Sequence, residues 1–149
     1  MQYRTFGKTG LEISALGFGC MRFPVIDKDP TRIDELKATE MIFHAIERGV
    51  NYFDTAYPYH ATDFSKPGYS EPFLAKALKN GYREKIYLAT KLPCWLVEST
   101  EDLERYLEKQ LARLETDFVD FYLLHALNRF TWDKMKKLGA LEFLSKAIK

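Results

Sequence analysis

The sequence holds little of what marks several large classes of protein. Its 149 residues include two cysteines, Cys20 and Cys94, with no CxxC pair, and three histidines with no cluster at zinc spacing. That argues against a disulfide framework or a structural metal and suits a reducing, cytoplasmic setting in which both thiols are ordinary buried ones. No run approaches the roughly 18 apolar residues of a membrane span. The opening stretch, MQYRTFGKTG, is polar where a signal peptide needs an apolar segment, so a chain that is neither exported nor membrane-bound is expected. Charge of one sign is lacking too: 22 basic residues against 21 acidic leave a net charge of +1, and nothing marks a nucleic-acid or anionic-membrane binder. What is plentiful is apolar and aromatic, 46% and 15% of the chain, enough for one globular domain with a real core.

Hydrophobic period and turn chemistry divide the chain into repeated units. Gln2–Phe6, GKTG and Leu11–Ser14 read as a β-hairpin outside the main sheet, with Gly7 and Gly10 able to take positive φ. "SALGFGC" reads as a buried first core strand dense in glycine. A helix over about 34–48 follows, with Ala38, Ile42, Ala45 and Ile46 on one face and Gly49 as its stop. "VNYFDT" is the second strand. Ser70 is placed to cap the next helix, whose face is Phe73, Leu74, Ala77 and Leu78. "KIYLATK" is the third strand. "STED" at Ser99 has the form of a capping box, opening a helix striped by Leu103, Leu107, Leu111 and Leu114. "FVDFYLLH" is the fourth strand, and a tail from Thr131, interrupted at Gly139, ends with Ala140, Phe143, Leu144 and Ala147 on a last helical face.

Strand and helix alternate four times at roughly 35 residues per repeat, the size of a βα unit, which implies a parallel sheet with helices outside it. A small doubly wound sandwich and half of a (β/α)8 barrel both fit. "LGFGCMRF" lacks the third glycine of GxGxxG and runs into a long loop rather than a helix, which favours the barrel. The expected organisation is a single domain over 1–149: a hairpin at 1–14, then βα units over 15–149.

Asp54, Lys91 and His125 stand at the ends of the second, third and fourth strands, and Tyr59 lies in the loop just after Asp54. In a parallel (β/α) array all C-terminal strand ends open on one rim, so these four side chains converge. An ammonium beside a phenol stabilises the phenolate and makes the phenol a better proton donor, while a carboxylate holds the ammonium charged and oriented. A rim histidine can fix a substrate oxygen. Such a site protonates a carbonyl oxygen while a hydride reaches carbon, and the hydride has to come from a nicotinamide.

"NYFDTAxxY", "ATKL" and "FYLLH", in this order, together with "RTFGKTGLEISALGFGCMRF", resemble the aldo-keto reductase family. The resemblance implies a TIM-type (β/α)8 barrel, reduction of an aldehyde or ketone with NAD(P)H, and a catalytic tetrad of Asp54, Tyr59, Lys91 and His125. Tyr59 is the general acid, chosen over Tyr57 by its spacing from Asp54. It also implies that Gly19, Cys20, Met21, Arg22 and Asp54 lie near the nicotinamide end of the cofactor. The most similar subgroup carries a cysteine-rich extension for an iron–sulfur cluster; with only two cysteines here, no cluster is expected.

Two departures stand out. His60 is followed by "ATDFSKPGYS" before Glu71, a larger loop than the family's usual short turn and glutamate, which alters the rim near the substrate. A complete barrel needs about 250 residues, so the chain looks like the first half of one. The family's adenine and phosphate contacts come mainly from the second half, and NADPH binding by this half is expected to be weak or absent.

Simpler readings compete at each position. Asp54 and Lys91 alone could be a plain ion pair. His44 reads as a partly exposed or packed helix residue, and His60 as a solvated loop residue more readily than as a substrate contact. A metal on Asp54, His60 and His125 is disfavoured because Lys91 would repel it. Lys134, Lys136 and Lys137 read as a solvated helix face. Three functional outcomes remain: a carbonyl reductase, a half-barrel that associates with itself or with a complementary half, and an inactive remnant.

Overall fold

The computed structural model describes residues 1–148. β1 (Tyr3–Thr5) and β2 (Glu12–Ser14) pair antiparallel as a separate two-stranded sheet. The expected turn residues Gly7 and Gly10 do lie at positive φ, +56° and +76°. Four parallel strands follow in the order β3 (Phe18–Gly19), β4 (Tyr52–Asp54), β5 (Tyr87–Leu92) and β6 (Phe121–Leu124). The helices α1 (Glu35–Glu47), α2 (Ser70–Ala77), α3 (Glu101–Leu114), α4 (Arg129–Lys137) and α5 (Ala140–Ala147) lie between and after them. The sheet stays open, with β3 and β6 as its edges. This is the expected run of βα units, and it does not close into a barrel.

Alternation along the strands sorts the side chains into two faces. Phe53 of β4 and Leu88 of β5 turn toward the helices and join Ile42, Leu74, Leu78 and Leu114 in one apolar core. Leu92 and, more peripherally, Tyr122 and Leu124 join Val97, Leu103, Met135 and Ala140 in a second. The other face is concave. Tyr52, Tyr87 and Phe121 gather at its lower end, where Phe6 of the hairpin meets Phe121 edge-on with ring centroids 4.9 Å apart. Asp54, Lys91 and His125 occupy the same face at the opposite end, because Asp54 is in register with Ala89, two residues before Lys91, and Lys91 with Leu123, two before His125.

Two expected caps are built differently. Ser70 is the first residue of α2, and its hydroxyl, instead of capping, meets the Thr55 hydroxyl at 2.8 Å and donates to the Cys20 carbonyl at 3.2 Å. At α3 no side chain caps from Ser99 or Thr100; Asp102 reaches back to accept from the backbone N–H groups of Glu98 and Ser99 at 2.7 and 3.1 Å. The last helical stretch starts earlier than Thr131, because Asn128 and Thr131 form a reciprocal capping box. The first core strand is shorter than the apolar run, only Phe18 and Gly19 joining the ladder.

Candidate active site

β4, β5 and β6 deliver Asp54, Lys91 and His125 to one rim, and the turn after β4 brings Tyr59 back over it. Lys91 Nζ donates to Asp54 Oδ1, to the Thr55 carbonyl at 2.9 Å and to the Tyr59 hydroxyl at 2.9 Å. An ammonium has three hydrogens and no acceptor, so these bonds commit all three. The ammonium also lies 4.6 Å from the Tyr59 ring centroid. Tyr59 and His125 meet edge-to-face with ring centroids 5.8 Å apart, and Trp95 also meets the His125 ring edge-to-face at 5.1 Å. The four residues picked from the sequence therefore form one cluster.

Its hydrogen-bond logic is directional. Lys91 can only donate, so the Tyr59 oxygen accepts from it and the phenolic hydrogen is free to point elsewhere. Burial is the first cause holding the His125 imidazole below its ordinary pKa, and the positive charge of Lys91 adds to it, with Asp54 opposing. The ring is thus neutral at neutral pH. Its buried Nδ1 has no partner among the described residues.

The residues read from the first strand divide. Gly19, in register with Asp54, is exposed, with open space where a side chain would stand. Arg22 is exposed and Met21 half-buried beside it. Cys20 is fully buried in the apolar core, its thiol pKa pushed far up chiefly by that burial. Its N–H donates to the Asp54 carbonyl at 2.8 Å and its carbonyl accepts from Ser70, so neither its thiol nor its backbone faces the rim as a free group.

His60 is not the solvated loop residue expected. It is buried, its Nδ1–H donating to the Pro30 carbonyl at 2.9 Å and its Nε2 accepting from the Phe23 N–H at 3.2 Å. Those partners fix the neutral Nδ1–H tautomer. The enlarged loop closes on itself: Gly68 N–H donates to Tyr57 O at 2.8 Å, Tyr69 N–H to His60 O at 3.2 Å and Ser70 N–H to Tyr59 O at 3.1 Å. Trp95 Nε1–H donates to Phe64 O at 3.0 Å and ties the loop's outer part to the rim.

A polar network behind Lys91 escaped the sequence reading. Glu71 is fully buried; its Oε1 accepts from Thr90 at 2.8 Å and Gln110 at 2.7 Å, and its Oε2 from Arg113 at 2.8 Å. A signal was present. Gln110 sits at the helical phase shared by Leu103, Leu107 and Leu114, and Thr90 alternates with Leu88 and Leu92 on the helix-facing side of β5. A polar residue at a phase that demands burial has to find a buried partner.

Residues 15–147 match the aldo/keto reductase family. The uncharacterised oxidoreductase YrpG of Bacillus subtilis (strain 168) is 32% identical over 149 residues, covering 91% of this chain and 43% of its own length. The aldo-keto reductase AKR11C1 from Bacillus halodurans, solved in a holo form, superposes with a TM-score of 0.67 at 30% identity, over 92% of this chain and 47% of that one. Tm1743, a thermostable aldo-keto reductase solved with the inhibitor epalrestat, gives 0.65 at 32% identity, over 93% and 51%. The chain thus spans about half the length of the proteins it matches.

Proposed function

The chain belongs to the aldo/keto reductase family, and on that premise we propose that its rim cluster is the proton-donating centre for NAD(P)H-dependent reduction of an aldehyde or ketone. The observation that carries this reading is the committed ammonium: Lys91 spends its hydrogens on Asp54, the Thr55 carbonyl and the Tyr59 oxygen. Tyr59 is left with a hydrogen to give, beside a positive charge that favours its giving it.

The roles follow from the contacts. Tyr59 donates its phenolic proton to the carbonyl oxygen of the substrate. Lys91 stabilises the phenolate that results, and Asp54 keeps the ammonium aimed. His125, neutral and edge-on to Tyr59, orients the substrate oxygen. Half-buried beside Tyr59 and Trp95, it makes that hydrogen bond where it counts for more than in open water. NAD(P)H, when bound, supplies the hydride to the carbonyl carbon. Gly19, Met21, Arg22 and Asp54 would hold its nicotinamide end. They fit a flat ring, since Gly19 leaves open space next to Asp54 at the strand ends.

A second reading has its own observation. β6 is an edge strand, and Leu123 on the concave face is 36% exposed, the surface expected of a half-barrel that acts by associating with itself or with a complementary half. One assay separates the two. Purified chain is incubated with NADPH and an aromatic aldehyde, and alcohol formation is matched to NADPH loss, beside Tyr59→Phe. Turnover in the wild type that Tyr59→Phe loses supports the reductase. Equal rates in both refute Tyr59 as donor, and no turnover in either leaves the association reading.

A further inference from the structure

Two backbones have to be held in fixed relation for Tyr59 and Lys91 to meet at 2.9 Å. One is the loop that carries Tyr59, the other is β5. At the rim, β5 holds the start of that loop through the Thr55 N–H bond to the Ala89 carbonyl at 2.9 Å and the Lys91 bond to the Thr55 carbonyl, and the Tyr59 N–H returns to the Ala56 carbonyl at 3.1 Å. The far end of the loop is held from behind the sheet, at Glu71.

On the loop side, the Tyr59 carbonyl accepts from the Ser70 N–H, and the neighbouring Tyr57 and His60 carbonyls accept from Gly68 and Tyr69. Tyr59 is thereby stitched to 68–70, the residues that immediately precede Glu71. The Gly68 carbonyl in turn accepts from the Arg113 guanidinium, whose Nε–H holds Glu71 Oε2. On the strand side, Glu71 Oε1 accepts from the Thr90 hydroxyl and from Gln110 Nε2, and that same amide donates to the Lys91 carbonyl at 3.1 Å. The far end of Gln110 is held by the Tyr122 hydroxyl at 2.8 Å. One carboxylate, with an oxygen turned each way, therefore joins the segment behind Tyr59 to the segment behind Lys91.

A fully buried carboxylate is an expensive way to pack two helices against a strand; apolar side chains of similar volume do that as well or better. What they cannot do is take directed hydrogen bonds from Thr90, Gln110 and Arg113 at once. We infer that Glu71, through Thr90, Gln110 and Arg113, is a positioning residue that sets the Tyr59–Lys91 distance. This rests on the proposed function for its catalytic consequence but not for its geometry, and the two are tested apart.

The geometric arm uses residue-resolved amide hydrogen exchange of the full chain. Glu71→Gln removes the charge. Because that variant risks folding poorly, Thr90→Val removes only the hydroxyl at nearly constant volume, and Thr90→Ser restores it. The expected result in Glu71→Gln and Thr90→Val is exchange roughly tenfold faster at the Gly68, Tyr69 and Ser70 amides, with the Leu88 amide unchanged and Thr90→Ser close to the wild type. The kinetic arm expects kcat for carbonyl reduction to fall about tenfold in Thr90→Val with KM unchanged, and to return in Thr90→Ser. Wild-type exchange at 68–70 in Thr90→Val overturns the inference. So does acceleration shared equally by Leu88, which would mean general loosening, and so does unchanged kcat in an active protein whose loop has loosened. A wild type without turnover sinks the reductase reading alone, and the exchange arm then decides the geometry.

Discussion

Lys91 shows how little freedom a single residue keeps in this rim. With three donors and three acceptors in place, its removal does two things at once: it takes the positive charge from the Tyr59 oxygen and leaves the Asp54 carboxylate unpaired. If Tyr59 and Lys91 act as one unit, their substitutions should not add. Tyr59→Phe and Lys91→Met are each expected to lower carbonyl reduction by about 10²–10⁴-fold, and the double variant to fall no further than the worse single one. Additive losses, measured as kcat/KM, would show two independent contributions. His60 carries a different prediction. Burial is the first cause holding its pKa below the ordinary value, with Arg22 acting the same way and the Pro30 hydrogen bond opposing. The unfolded chain therefore takes up a proton first, at roughly pH 6.5. Stability from this residue is complete above that pH and is lost as the pH falls through it toward the lower folded value. His125 is shifted in the same direction. The urea midpoint should drop between pH 7.5 and 5.5, and His60→Gln, which cannot titrate, should show a shallower drop. An identical slope in both proteins would remove His60 from the account.

At the level of elements, the loop between β4 and α2 departs most from what its composition suggests. "ATDFSKPGYS" reads as a polar excursion, yet its ends are pinned by three backbone hydrogen bonds and by the Arg113 contact to the Gly68 carbonyl. Gly68 is the pin that tolerates no side chain: a Cβ there would stand inside the Tyr59 carbonyl. Gly68→Ala is expected to displace the backbone behind Tyr59 at a cost of about 1–3 kcal/mol, the usual range for overpacking, measured by denaturant unfolding. A stability within error of the wild type would mean the loop can move aside freely.

Why this loop was illegible while the helices were not is a matter of range. The face of α1 and the leucines of α3 repeat at 3.6-residue spacing, and that local period places Ala38, Ile42, Leu103 and Leu114 in the core without further information. Likewise Asp54, Lys91 and His125 were readable because a parallel array sends every strand end to one rim. Caps and loops depend on long-range partners. Ser70 forgoes its own helix terminus for Thr55 and Cys20, fifteen and fifty residues away, and His60 finds Phe23 and Pro30. Gln110 instead of Leu111 takes the fully buried place on α3, because Glu71 waits there to be satisfied. Propensity and period contain none of these pairings.

For the molecule as a whole, the open sheet sets two demands against each other. The rim needs the four strand ends in place, and the strands obtain them from the two cores on the helix side. Among the described residues the concave side has no such cover. Tyr52, Tyr87 and Phe121 shelter one another and take Phe6 from the hairpin, but Leu123 above them is 36% exposed and the outer edge of β6 presents unpaired backbone groups. Exposed edges next to apolar surface are templates for pairing with another chain. We therefore expect the isolated chain to self-associate, its sedimentation coefficient rising with concentration. Leu123→Lys should weaken that association by placing a charge on the surface to be covered, while leaving the secondary structure intact. Cofactor affinity belongs to the same argument. The residues proposed for the nicotinamide end lie on or just after β3 and at the end of β4, and the resemblance to the family implies phosphate and adenine contacts mainly from a second barrel half, so NADPH titrated into the chain should bind weakly. A monomer at all concentrations that binds NADPH with micromolar affinity would mean that the open sheet is self-sufficient, and that the two cores behind it are enough to hold the rim in working shape.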